Sequence, residues 1–258
     1  MRTLLSISWF SQLGSGIGRS LFMKPIPLLA AGFALAALIL DANRAFAAEP
    51  DGVALAIVYD TSGSMRETVQ GRAGQVEPKY AVANRALIAV VRQLQAFATN
   101  TVAGSPRTLH AGLFVFQGAG ARAVVPLGPL DAAAIEKWAN EFNRPDGNTP
   151  LGNALNAAGQ AVLQSPLPRK HVLIITDGMN TAGPRPEVVL PTLQKRAASA
   201  QAGIAVHFVA FDVDARVFEP VKKLGATVVG AADEKQLNTQ LDFILQKKIL
   251  LEDEEPPK

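Results

Sequence analysis

Apolar and polar positions alternate along residues 53–250 with two periods, one of strand type and one of helix type. The run VALAIVYD (53–60) is apolar almost without interruption, which is the pattern of a strand buried on both faces of a sheet. Over 78–98 the period lengthens. Tyr80, Ala83, Leu87, Val90, Leu94 and Phe97 share one helical stripe, Arg85 and Arg92 stand opposite, and Pro78 occupies the expected first helical position. HAGLFVFQ (110–117) and RAVVPL (122–127) flank the short stretch GAGA, a spacing that predicts a hairpin and therefore one antiparallel pair. Helical segments near 131–142 and 150–164 lead to HVLIITD (171–177). A helix over about 186–202 then precedes IAVHFVAFD (204–212), and a short helix near 215–224 precedes ATVVGA (226–231). The last helix, 233–250, carries Leu237, Leu241, Ile244 and Leu245 at helical spacing.

Strand–helix alternation of this kind implies a doubly wound α/β domain. The expectation is a mostly parallel six-stranded sheet with one antiparallel edge strand and helices on both faces. Such sheets bind ligands beyond the carboxyl ends of their strands, where the strand order reverses. Two predicted strands end there in aspartate: Asp60 and Asp177.

Ahead of this region the pattern is different. Lys24 precedes the apolar run PIPLLAAGFALAALIL (25–40), followed by DANR and the small-x-small triplet Ala45-Phe46-Ala47, the order of a secretory signal peptide. The competing reading is an uncut membrane anchor, but the run is shorter than the ~20 residues a span needs and Asp41 ends it. Residues 1–47 are thus expected to be a cleaved leader, with Met23 as an alternative start, and the mature chain to be exported to the periplasm or outside the cell. The leader takes Arg2, Arg19, Lys24 and Arg44 with it but only one acid, Asp41. The 25 basic residues therefore fall by four and the 22 acidic ones by one, and the remainder balances to zero net charge. With no basic stripe left, nucleic acid is not an expected partner, and a membrane is one only through an uncleaved leader. There is no cysteine, so disulfides and a lipid-modified cysteine are excluded. Residues 48–251 are expected to form one domain, and 252–258 a solvated acidic tail with prolines.

The candidate chemistry lies in DTSGSM (60–65), directly after the first strand. Asp60, Ser62 and Ser64 alternate across a turn that Gly63 loosens, so their oxygens can converge. One carboxylate and two hydroxyls, without Cys or His, are hard donors suited to Mg²⁺, Mn²⁺ or Ca²⁺. Taken alone the same residues also read as a hydrogen-bonded turn. They are joined by Thr149, in GNTPLGNAL (147–155) just ahead of a helix, and by Asp177 in IITDG.

In order and spacing, Asp60, Ser62, Ser64, Thr149 and Asp177 resemble the DxSxS…T…D motif of the metal-ion-dependent adhesion site (MIDAS) of von Willebrand factor A domains, and the resemblance extends over residues 52–250. Asn148 departs from it, standing where many bacterial relatives have a second glycine. The resemblance implies that Ser62, Ser64 and Thr149 bind the ion, Mg²⁺ first among the candidates, and that Asp60 and Asp177 act through water or hold the hydroxyls. It further implies an open coordination position that takes a Glu or Asp carboxylate of a partner protein. The expected function is then an exported, non-catalytic adhesion or scaffold module. The alternative is a metal-assisted hydrolase with Ser62 or Ser64 as nucleophile. Against it, His110, His171 and His207 all fall on strand positions, where structural roles are the expectation. The stretch 66–78 reads as a mobile loop beside the site, and Arg66 and Arg185 as cations that could face an acidic partner.

Overall fold

The computed structural model describes residues 52–102 and 105–250. The leader (1–47) and the acidic tail (252–258) lie outside the described residues. No helix among those described is long and apolar enough to cross a membrane.

Six strands form the main sheet: β1 (Gly52–Tyr59), β2 (Thr108–Gln117), β3 (Gly120–Pro129), β4 (Arg169–Thr176), β5 (Ala205–Phe211) and β6 (Thr227–Ala231). Their spatial order is β6-β5-β4-β1-β2-β3. All neighbours run parallel except the β2–β3 hairpin, which places the single antiparallel strand at one edge. The sheet is thus the expected one, and it is doubly wound. The chain moves outward from β1 in one direction through β2 and β3, then returns to β4 on the other side of β1. The strand order reverses between β1 and β4, so their carboxyl ends open a crevice.

The unbroken apolar run of β1 is explained by its central place: every residue of Gly52–Tyr59 is buried. Its alternate residues feed two separate cores. Val53, Leu55, Ile57 and Tyr59 pack with helices α1 (Lys79–Thr99), α2 (Ala132–Glu141) and α6 (Glu234–Ile244). Ala54, Ala56 and Val58 face α3 (Leu151–Gln164) and α4 (Pro186–Ser199). The small side chains on that second face let α3 approach closely. A short helix α5 (Glu219–Lys222), preceded by a 3₁₀ turn, links β5 to β6.

Three expectations are corrected. Pro78 does not open α1, because it pairs with Thr68 in a small hairpin of Thr68–Gln70 and Val76–Pro78, and the helix starts at Lys79. The same hairpin replaces the mobile loop expected over 66–78, its turn closed by Ala73 and Gly74 in the left-handed region (φ 53° and 76°). The last helix is α-helical only to Ile244 and continues as a π-helical turn, Leu245–Leu250, which brings Leu245, Ile249 and Leu250 all into the core.

Candidate metal centre

The crevice between β1 and β4 is built from three loops tied to one another. The loop after β1 binds the loop before α3 through Gly63 N–H to Gly147 O (3.1 Å) and Asp146 N–H to Thr61 O (2.8 Å). Gly147 takes a left-handed conformation there (φ 84°) that a side chain would strain. The loop before α3 binds the loop after β4 in turn. Thr181 N–H donates to Thr149 O (3.0 Å), and Thr149 N–H donates to Thr181 Oγ1 (2.8 Å). Backbone geometry therefore places Asp60, Ser62, Ser64, Thr149 and Asp177 around one crevice.

The side chains make a connected set. Ser62 Oγ and Ser64 Oγ are 3.1 Å apart, and Ser64 Oγ donates to Asp177 Oδ1 at 2.7 Å. The Thr149 and Ser64 hydroxyls both face Gly178: a Cβ at that residue would meet them at 3.6 and 3.8 Å. Glycine after Asp177 thus keeps the space between the hydroxyls open. Asp60 is fully buried, with Oδ1 accepting from Ser62 N–H (2.7 Å) and Oδ2 from Thr176 Oγ1 (2.6 Å). Burial pushes the Asp60 carboxyl up to about 6, with repulsion from Asp177 adding to it. Burial also raises Asp177, partly offset by the Ser64 hydrogen bond and by Lys79.

Lys79 is a residue that motif reading missed. Its side chain is only 4% exposed, and its ammonium touches Asp177 Oδ2 (3.1 Å), Glu67 Oε2 (2.9 Å) and Asp212 Oδ2 (3.0 Å). Burial works against its charge, but the three carboxylates prevail and hold its pKa above the ordinary lysine value. One sequence signal was available: a cation in the first turn of a helix opposes the helix dipole, so it needs a local reason to be there. Thr176 and Thr181 were missed as well. Thr176 is the polar end of an otherwise apolar strand run, a visible anomaly, while nothing in sequence marks Thr181.

The donor set suits a hard dication. An octahedral Mg²⁺ holds oxygens at about 2.1 Å, which puts neighbouring ligands about 3 Å apart, close to the Ser62–Ser64 separation. Both carboxylates already accept hydrogen bonds on each oxygen, which fits an orienting role more than direct ligation. Among the described residues no cluster of three or more His, Cys, Asp or Glu side chains could hold a metal, since the motif contributes only two carboxylates and its other donors are hydroxyls. The three histidines lie elsewhere. His110 and His171 are near the amino ends of β2 and β4, and His207 packs against His171 within the sheet.

Comparison with known proteins agrees with this architecture. Residues 55–180 match the family model of the von Willebrand factor type A domain. No curated protein matches. Among solved structures, the PilB minor pilin from Streptococcus sanguinis superposes with a TM-score of 0.56 at 18% identity over 76% of this chain, which spans 60% of the pilin's own length. The vWF domain of the type V pili tip protein Mfa5 from Porphyromonas gingivalis gives 0.54 at 15% identity, covering 77% of this chain and 95% of that one. Proximal thread matrix protein 1 from the mussel byssus, in a form with a zinc-occupied MIDAS motif, gives 0.54 at 16% identity, over 76% of this chain and 48% of that one. At these identities the likeness is one of fold. Sheet order, switch-point crevice and the family match over residues 55–180 agree, and the fold is that of von Willebrand factor type A domains.

Proposed function

We propose that this protein is an exported, divalent-metal-dependent protein-binding module, in which Ser62, Ser64 and Thr149 ligate Mg²⁺ and a partner's Glu or Asp carboxylate completes the coordination. The observation that carries the reading is the set of neutral hydroxyls facing one crevice above two carboxylates whose oxygens are already engaged. Neutral ligands leave most of the dication's charge uncompensated, so the ion favours an anion at its open position. Asp60 and Asp177 would hold the hydroxyls and supply countercharge from the layer beneath. Binding is favoured over turnover because Ser64 has Ser62 and Asp177 as hydrogen-bond partners, and Asp177 is itself held by Lys79, so among the described residues neither serine has an unengaged base beside it.

The test is thermal unfolding of the purified chain in EDTA and in millimolar Mg²⁺, Mn²⁺ or Zn²⁺, with Ser64→Ala and Asp60→Ala alongside. An ion at a hundred times its dissociation constant stabilises the fold by about 2.7 kcal/mol. For a domain of this size the midpoint then rises by roughly 5–10 °C. The rise is expected with Mg²⁺ in the wild type and absent from both variants. A wild-type midpoint indifferent to every ion sinks the proposal.

A further inference from the structure

We propose that the cavity beside the candidate metal centre is a second subsite, which takes an apolar side chain of the same acidic partner segment whose carboxylate meets the ion. The inference rests on the metal-dependent reading above and specifies the partner's chemistry. The cavity measures about 270 Å³. That lies just below the range of small-molecule and cofactor pockets and suits a single side chain. Its position links it to the crevice: Leu151 in its floor follows Thr149 by two residues, and Met179 at its mouth follows Asp177 by two. Pro186, Phe218 and Val221 complete the buried apolar wall.

The cavity is preformed. Asn180 lines it and is pinned on both sides, accepting from Gly152 N–H and donating to Gly183 O, each at 3.2 Å. Rigid walls reduce the ordering cost of binding. The exception is Met179, 61% exposed, whose flexible thioether can fold over an occupant.

Charge indicates what else the occupant carries. Arg185 lines the cavity with its side chain 76% exposed and meets Glu187 only at 3.9 Å, the outer limit of an ion pair. Arg66, 63% exposed, stands by Gly63 of the candidate metal loop, where it already faces Asp146 at 3.6 Å. A dication and the loosely paired, exposed Arg185 beside one apolar cavity outweigh the single carboxylate of its lining, Glu187, and complement an acidic segment with one apolar anchor.

The experiment is selection of a random peptide library against the purified chain in millimolar Mg²⁺, repeated in EDTA and against Val217→Trp, which fills the cavity from its lining. Pro220→Trp, from another side of the cavity, serves if Val217→Trp does not melt like the wild type. The expected peptides carry Asp or Glu with an apolar residue at a constant spacing, and alanine at the apolar position weakens binding about tenfold. The filled variant should lose that preference and keep metal-dependent binding of the acid. Peptides that need acid and Mg²⁺ but show no apolar position, or that bind the filled variant equally well, overturn the subsite and leave the metal-dependent reading standing. Apolar selection that survives EDTA and needs no acid overturns the linked ligand and the metal-dependent reading together, as does a selection that enriches nothing.

Discussion

Lys79 decides more at the candidate metal centre than its absence from the motif suggests. Its buried ammonium is the shared partner of Glu67, Asp177 and Asp212, three carboxylates from three different loops. Glu67 and Asp212 can be solvated when the ammonium is removed, but Asp177 is left a buried, uncompensated charge, at a cost of about 3–5 kcal/mol. Lys79→Met should therefore lower stability by that order in EDTA, as read by urea unfolding. Part of the loss should return with Mg²⁺, because the dication takes over the charge of Asp177. An unchanged midpoint would show that the bridge contributes nothing. Thr176 makes a smaller case. Its hydroxyl donates to Asp60 Oδ2 at 2.6 Å, so Thr176→Val leaves a buried carboxylate oxygen without that partner and should cost about 1–3 kcal/mol. The check is the same urea titration, with Asp60→Asn in the Thr176→Val background expected to recover part of the loss.

Between elements, the decisive feature is how closely α3 approaches its surroundings. A Cβ on Gly152 would run into the Pro184 carbonyl, and one on Gly159 would meet Leu193 Cδ1 of α4 at 2.6 Å. Glycine costs a helix up to about 1 kcal/mol relative to alanine, so its presence at two buried α3 positions reflects packing. Gly152→Ala should destabilise by roughly 1–3 kcal/mol in spite of its gain in helix propensity, because the clash is with backbone. It should also weaken any metal-induced rise in melting temperature, since the displaced loop carries the Thr181 contacts to Thr149. Gly203→Ala is the control: nothing lies within 4 Å of a Cβ there, and its stability should stay near the wild-type value.

For the molecule as a whole, acid tolerance should be set by a pair of histidines remote from the candidate metal centre. His171 and His207 stack at 5.6 Å on neighbouring strands, with His171 Nδ1 and His207 Nε2 3.3 Å apart. Burial lowers His171 to about 3, with His207 and Arg169 adding to the effect, and lowers His207 to about 4, with Lys248 adding. The sign follows from proton counting. Below the ordinary histidine value of about 6.5 the unfolded chain takes up protons that the folded protein refuses, so stability falls as pH drops from there towards 4. At pH 5 the loss should be about 2 kcal/mol for each histidine. Melting temperature against pH reads this directly. His207→Phe should flatten the slope, at a cost of about 1–3 kcal/mol at neutral pH because buried His171 Nδ1 loses His207 Nε2 as a partner. A slope unchanged in that variant would remove the pair as its cause.

The sequence by itself determined the strand–helix alternation and the single antiparallel pair, and it marked the five motif residues that the fold brings to one crevice, because each is written locally. A strand buried on both faces must be apolar throughout, a hairpin needs a short glycine-rich turn, and a metal loop needs its oxygens at alternate positions. It did not disclose the partners that chain distance hides. Lys79 meets Asp177 across 98 residues, Thr176 meets Asp60 across 116, and Arg85, placed on the solvent stripe of α1 by periodicity, is held instead by Glu77 and by Glu234 across 149. Nor did it anticipate the hairpin over 68–78, where glycine and proline suggested a loop, because that pairing depends on the docking of α1. The cavity beside the crevice is a tertiary product too. Its walls come from α3, from the loop after β4 and from the turn after β5, segments with no common sequence signature, and only the winding of the sheet brings them to one edge.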